Sequence, residues 1–429
     1  MPNFALCRSL LCLGATFLFC VPCARATYSI IACDQKTREC GVAVQTNNLA
    51  VGSSVPYAQA GVGALVSQFE TNPNYGPKGL ALMAQGMSPS DVLKLLLSQD
   101  GNFEGQGTEA RQVALVSIDG RTAAHTGEEV KGANWAGVRA GPGYSIQGNS
   151  LVGAQVVDAM ERAFLDTHGI LAGRLLAALV AGDAAGGQKT GRESAALLVR
   201  TTDGWPVDID LRVDHSANPV ADLHTLLNMQ LARQQVAQAS RAAKKGQMEA
   251  AEALLVGAVA RASSWPRIWL QAARVAADIE QPTLALQYLN VAFAQNQAWT
   301  ESEIGDGYYA SLGHDPLFHK WLNPEDELAA LSGYQAVAKS QGVSPEGRLL
   351  AARKLLEVDH PAEALALLTP ATGVGVEEDV QVASLLAEAY AAQGRYQEAI
   401  EQCQTALRKD PHNQRLLRKA ARFEAALPK

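Results

Sequence analysis

Thr27 follows the tripeptide Ala24-Arg25-Ala26, and if the chain is cut at that junction one residue carries both a hydroxyl and a free α-amine. Such a residue can perform acyl transfer by itself. Its Oγ attacks a carbonyl, and its amine, with an ordinary pKa of about 7.7–8.0, accepts the proton near neutral pH. Attack on an amide gives an ester acyl-enzyme and a leaving amine, and water then releases the acid. The developing oxyanion needs donors. Asn149, in Gly148-Asn149-Ser150, and Gln68, after Val66-Ser67, are the candidates. Capping or turn stabilisation is an equally open role for Asn149.

Cleavage at Thr27 is suggested by what precedes it. Arg8 leads into an apolar run from Leu10 to Val21 that ends in an Ala-x-Ala signal, and the run is too short for a stable membrane span. Residues 1–26 therefore read as a secretory leader, and the mature chain as exported to a periplasm or the outside of the cell, with no integral membrane segment after processing. A lipid anchor fits less well, because Phe19 and Pro22, not small residues, precede Cys20 and Cys23. Losing Arg8 and Arg25 takes the formal charge from -7 to -9, so nothing in the balance calls for nucleic acid or an anionic membrane.

Four of seven cysteines lie in the leader. Cys33 and Cys40 flank a polar turn, and after export they could form a cross-strand disulfide if their side chains have the required separation, which the spacing leaves open. Cys403 is then a free thiol, expected inside a helix. The Cys33–Cys40 spacing, with no nearby histidine, is a poor zinc signature.

Further polar groups cluster late in the first half. Arg192 and Asp210 are candidates for orienting Thr27 or binding a polar substrate, the alternative being an internal ion pair between returning strands. Glu193 and Asp214 could extend that network, while strand alternation suggests the opposite side for Arg212. His125 and His215 read as structural or surface groups, since the α-amine serves as base. Asp208, Asp210, Asp214 and His215 could suggest a metal, but the hydrolytic chemistry needs none, and no metal or cofactor is expected.

These groups need a scaffold. Strands are expected near 27–33, 41–46, 62–67, 113–118, 194–200 and 207–213, with helical regions at 77–98, 152–166 and 171–181. Ser88 and Pro89 give the N-cap and first residue of a helix carrying Leu93, Leu96 and Leu97. The order fits an α+β sandwich.

Beyond Val220 the chain becomes rich in alanine and leucine at helical spacing. Residues 383–411 resemble a tetratricopeptide repeat, with Ala383 to Tyr390, Gly394 to Ile400 and a terminal Asp410-Pro411, and weaker units occupy 246–262, 269–294 and 349–368. The segment 299–340 interrupts the pattern. Trp265, Trp269 and Trp299 read as core spacers or as binding groups. The expected layout is a leader at 1–26, a first domain at 27–227, a helical repeat-like region at 228–340 and a tetratricopeptide-like region at 341–429.

The first domain carries Thr27-Tyr28-Ser29-Ile30-Ile31-Ala32, Gly41-Val42-Ala43-Val44, Ala50 to Pro56, Gly148 to Gly153, Gly191 to Val199 and Asp210 to Asp214 in order. This ordered set resembles the bacterial family of unknown function 1028, assigned to the N-terminal-nucleophile hydrolase superfamily. The resemblance implies a four-layer αββα fold with Thr27 at the end of its first strand, here followed by an all-α repeat solenoid. The family's acidic and basic approach to its glycine-arginine segment is replaced here by Gly187-Gln188-Lys189-Thr190-Gly191-Arg192.

The expected function is that of an exported amidohydrolase or peptidase acting on a peptide or small amide, with a protein or peptide partner on the helical repeats. The rival is an inactive envelope or extracellular scaffold that binds through those repeats. A glycosidase lacks a defined carboxylate pair.

Overall fold

The computed structural model describes residues 26–132, 134–340, 343–369 and 376–428, and the side chains of 376–379 are left out. The expected leader, up to residue 25, lies outside the described residues. The chain forms two units that divide between Leu223 and His224.

The first unit contains β1 (Thr27–Cys33), β2 (Cys40–Thr46), β3 (Pro56–Gln59), β4 (Gly63–Phe69), α1 (Tyr75–Ala84) and α2 (Pro89–Ser98). Then follow β5 (Arg111–Ser117), β6 (Thr122–Thr126), α3 (Glu128–Gly132), β7 (Trp135–Gly141), β8 (Tyr144–Leu151), α4 (Gln155–Asp166), α5 (Leu171–Ala184), β9 (Ser194–Arg200) and β10 (Ile209–Val213). One antiparallel sheet has the order β10-β9-β2-β1-β8-β7 and the other β3-β4-β5-β6.

Alternation along β1 explains the layering. Ile31 joins Val42, Val44, Ala64, Val66, Ala114 and Val116 in a core shared by both sheets. Tyr28, on the opposite face, packs toward α5, where a Cβ on Gly182 would come within 3.1 Å of its ring. On the far face of the second sheet, Leu65, Val113 and Leu115 meet Leu80, Val92 and Leu96 of α1 and α2. Two antiparallel sheets thus pack face to face with helices on their outer faces. Gly41 is required where α5 crosses β2, since a Cβ would lie 2.7 Å from the Leu198 carbonyl.

The structure bears out some expectations and extends others. The helical region near 77–98 divides, as Ser88 and Pro89 mark, into two helices parted at Gly86, whose φ of 91° only glycine adopts easily. Ser88 caps the second, accepting the Asp91 N–H at 3.2 Å. Strands β3, β6, β7 and β8 escape the apolar pattern because they are short, half-exposed or, in β8, buried yet polar. Cys33 and Cys40 are disulfide-bonded where β1 ends and β2 begins, which settles the pairing that the spacing left open.

The second unit is helical: α6 (Pro219–Lys244), α7 (Met248–Arg261), α8 (Pro266–Asp278), α9 (Pro282–Gln295), α10 (Gln297–Glu303), α11 (Pro316–His319) and α12 (Pro324–Lys339). It continues with α13 (Pro345–Glu357), α14 (Pro361–Leu368), α15 (Val376–Ala392), α16 (Tyr396–Leu407) and α17 (Gln414–Ala426). Small alanines on facing helices let the pairs approach closely: Ala272, Ala273 and Ala276 of α8 meet Ala285 and Ala292 of α9 in one core. Trp265, Trp269 and Trp299 pack against that core, and Cys403 is buried in α16 as a free thiol.

A buried charge cluster ties distant helices together. Lys419 of α17 reaches Glu388 at 2.7 Å and Glu280 at 3.1 Å, and Arg422 pairs with both acids. Burial alone would raise the Glu388 pKa, but Lys419 and Arg422 outweigh it and hold the carboxyl below its ordinary value.

Candidate functional site

Thr27 sits at the start of β1, opposite Thr46 of β2 and Asn149 of β8. Its residue is 4% exposed, and its side chain shares the inner face of the sheet with Ser29. The Thr27 N–H donates to Asn149 Oδ1 at 3.1 Å, and its Oγ1 lies 3.1 Å from Thr46 Oγ1. The Thr27 carbonyl accepts from Gln68 Nε2 at 3.3 Å. Both residues selected beside Thr27 therefore touch its main chain, one at each end.

Asn149 lies in a strand and not in the turn expected for it. Gly148-Asn149-Ser150 is polar enough to look like a turn, yet Asn149 and the Gln147 amide nitrogen find partners between the sheets, while Ser145 Oγ and Gln147 Oε1 are buried without one among the described residues. Gln112 is the hub of this seam: its Oε1 accepts from Gln68 Nε2 at 2.7 Å and Asn149 Nδ2 at 2.9 Å. Its own Nε2 donates to the Gly148 carbonyl at 3.0 Å, while Ser29 donates to Gln68 Oε1 at 2.7 Å. A satisfied network of this kind holds rotamers firmly because any break strands a buried polar atom. It also spends both amide N–H groups of Gln68 and one of Asn149 internally.

The preceding peptide group is gripped as well. The Ala26 N–H donates to Asn47 Oδ1 at 3.0 Å, and its carbonyl accepts from Thr46 Oγ1 at 2.7 Å and from the Asn47 N–H at 3.4 Å. Thr46 was missed by the sequence reading, as was Gln112. Their signal was slight: each is a polar residue at or next to one end of a largely apolar strand, a pattern that only pairing across the sheets makes meaningful.

A cleft of about 380 Å³ opens over Thr27 and Thr46. Leu49, Val51, Phe69 and Phe103 give it apolar walls, and Glu104 stands on its rim. The rim loop is clamped by Arg111, which is 1% exposed and donates to the carbonyls of Glu70, Phe103 and Gln106 at 2.8, 3.0 and 2.6 Å. Asp100 completes the clamp, 3.1 Å from Arg111 Nε. Burial would raise the Asp100 pKa, but hydrogen bonds from Arg111, Tyr75 and Asn72 outweigh it and hold the carboxyl below its usual value.

The remaining candidates are placed elsewhere. Arg192 pairs with Asp183 at 2.7 Å, and Asp210 with Arg200 at 2.8 Å, so the two form no ion pair with each other. Glu193 meets His215 at 3.1 Å, and its N–H binds the Thr46 carbonyl at 2.9 Å. Asp214 pairs with Arg212. The expectation that Arg212 faces away is overturned, since residues two apart on a strand share a face. Arg192, Glu193, Asp210 and Asp214 do not line the Thr27 cleft. Asp208 is held by Arg200 and Thr201, and His125 binds the Thr108 carbonyl at 2.9 Å.

In the second unit a groove of about 580 Å³ is lined by α8, α13, α15 and α17, with Arg274, Arg353, Gln381 and Asn413 among its polar groups. No described helix is long and apolar enough to cross a membrane.

Comparison with known proteins agrees with this division. Residues 27–223 match the model of the Family of unknown function (DUF1028), and residues 349–414 match a tetratricopeptide repeat. A crystal structure of a DUF1028 protein from Silicibacter pomeroyi is 31% identical, covering 47% of this chain and 88% of that one, with a TM-score of 0.42. No curated protein matches the chain.

Proposed function

We propose, for a chain that belongs through residues 27–223 to the Family of unknown function (DUF1028), that Thr27 becomes an N-terminal nucleophile hydrolysing a peptide or small amide, and that the helical repeats bind a protein or peptide partner. One observation carries the hydrolytic reading. Thr27 lies at the floor of a cleft with its nitrogen held by Asn149 and its hydroxyl beside Thr46.

Cleavage before Thr27 would convert its N–H into an amine that still faces Asn149 Oδ1. Asn149 then orients the amine lone pair by accepting one of its protons, and Gln68 fixes the strand end through the Thr27 carbonyl. The Thr46 hydroxyl loses its acceptor when Ala26 leaves and becomes a donor for an oxyanion at the cleft floor. Thr27 Oγ attacks the amide carbonyl, the α-amine takes the hydroxyl proton and passes it to the departing amine, and water cleaves the ester. This constellation resembles that of N-terminal-nucleophile hydrolases. The leader read at residues 1–26 supports export of the mature protein to a periplasm or outside the cell.

A second reading has its own support. Both amide donors of Gln68 and one of Asn149 are consumed within the seam, and the tetratricopeptide match covers residues 349–414 of the helical unit, as an inactive scaffold that works through its repeats would have. Electrophile labelling of the mature chain separates the two. Selective modification of Thr27, absent in Thr27→Ala, supports hydrolysis; a correctly cut chain that resists several electrophile classes supports the scaffold.

A further inference from the structure

Charge is sparse in the Thr27 cleft, and its placement is unusual. Glu104 is the charged side chain of the lining, and its carboxylate has no partner among the described residues. No arginine or lysine lines the cleft. Glu104 has a φ of 57°, and Asn102 two residues earlier has 49°. That region disfavours residues with a Cβ, and glycine would occupy it without strain. Gly101 and Gly105 on either side already adopt it, at 70° and 75°. The loop therefore has glycines where the backbone turns, yet places a glutamate in the same strained conformation on the rim.

The strain is held by Arg111, whose guanidinium grips the Phe103 and Gln106 carbonyls on each side of Glu104. Phe69, on the cleft wall, also has a left-handed φ, of 66°. Backbone strain kept in place by buried anchors gathers where a side chain must be presented to a ligand. We infer that Glu104 selects a cationic group: the cleft takes amides that combine an apolar segment, packed on Leu49, Val51 and Phe103, with an ammonium or guanidinium directed to Glu104. The inference rests on the hydrolytic reading for the identity of the reacting bond, but the charge selection can be measured without turnover.

The test uses the leader-free full chain carrying Thr27→Ala, with an unreactive ligand pair: acetyl-leucine amide of diaminopentane, bearing a terminal ammonium, and the same compound acetylated at that amine. Calorimetry at low ionic strength should give the ammonium form about five-fold tighter binding, with the preference shrinking in high salt, as expected of a partly solvated contact. Adding Glu104→Gln should bring the ratio to about one, and Glu104→Lys should invert it. Thermal melts of both variants establish that the loop is retained. Equal binding of the two ligands to the Glu104 protein, or a preference that survives Glu104→Gln, overturns the inference. Failure of Thr27 labelling sinks the hydrolytic reading and leaves the charge ratio standing or falling on its own.

Discussion

Thr27 and Asn149 face each other across β1 and β8, with the threonine nitrogen donating to the asparagine side-chain oxygen at 3.1 Å. Asn149 is fully buried, and its other amide atom is held by Gln112. The oxygen is therefore fixed toward the nitrogen by the network behind it.

That geometry gives a pH test. In the mature protein, labelling of Thr27 should rise with pH as the α-amine loses its proton, around the ordinary range of about 7.7–8.0. Asn149→Asp places a carboxylate beside the amine, favours its protonated form and should move the midpoint to higher pH. Asn149→Ala should slow labelling about ten-fold or more without that shift. An unchanged profile in Asn149→Asp would remove Asn149 from the site.

Replacing Arg111 by methionine should destabilise the first unit by about 3–5 kcal/mol, because Asp100 is left buried without its cation. Asp100 has a lowered pKa, so its contribution is present above the unfolded value and is lost as pH falls through the folded one. Urea unfolding should therefore show a smaller loss of stability on acidification in Arg111→Met than in the parent.

Glu357 supplies the opposite sign. Burial pushes its carboxyl up to about 7, although the N–H groups of Gly305, Tyr309 and Gly307 favour the charged form and Asp306 opposes it. A raised folded value means that the unfolded state loses its proton first. The stability of the second unit should decline as pH rises from the ordinary carboxylate range to about 7, and then level off. Glu357→Gln should flatten that slope in thermal melts across the same range.

Lys419→Met should cost about 3–5 kcal/mol, since Arg422 alone would then face Glu280 and Glu388 in a buried setting. Changing Lys419, Arg422, Glu280 and Glu388 together to apolar residues, so that no buried charge is left unpaired, should recover much of the loss. Chemical denaturation of the single and quadruple variants measures the difference.

The parts of the fold legible in the sequence were those with strong patterns. Alternating apolar residues marked β1, β2 and β9, Ser88-Pro89 marked a helix start, and alanine spacing marked the repeats. The polar seam was hidden because Gln68, Gln112 and Asn149 come from three strands and gain meaning only when two sheets bring them together. Asn149 was selected for a turn and found in a strand. Arg192 and Asp210 were grouped by chemistry, but the sheet gives each a different local partner, Asp183 and Arg200. Side-chain type suggests a role, while the register decides who is near enough to share it.

The bond between Ala26 and Thr27 has a history written into its burial. Ala26 is fully buried, with its N–H and carbonyl both engaged by β2 and the residue after it. An external protease needs that segment extended and reachable, which the folded unit denies. If Thr27 is to become a terminus, the cut comes either while the chain is still threading into shape or from groups within the fold itself. Activity would then be decided once per molecule, and a chain that folded uncut would stay silent unless its own groups opened the bond.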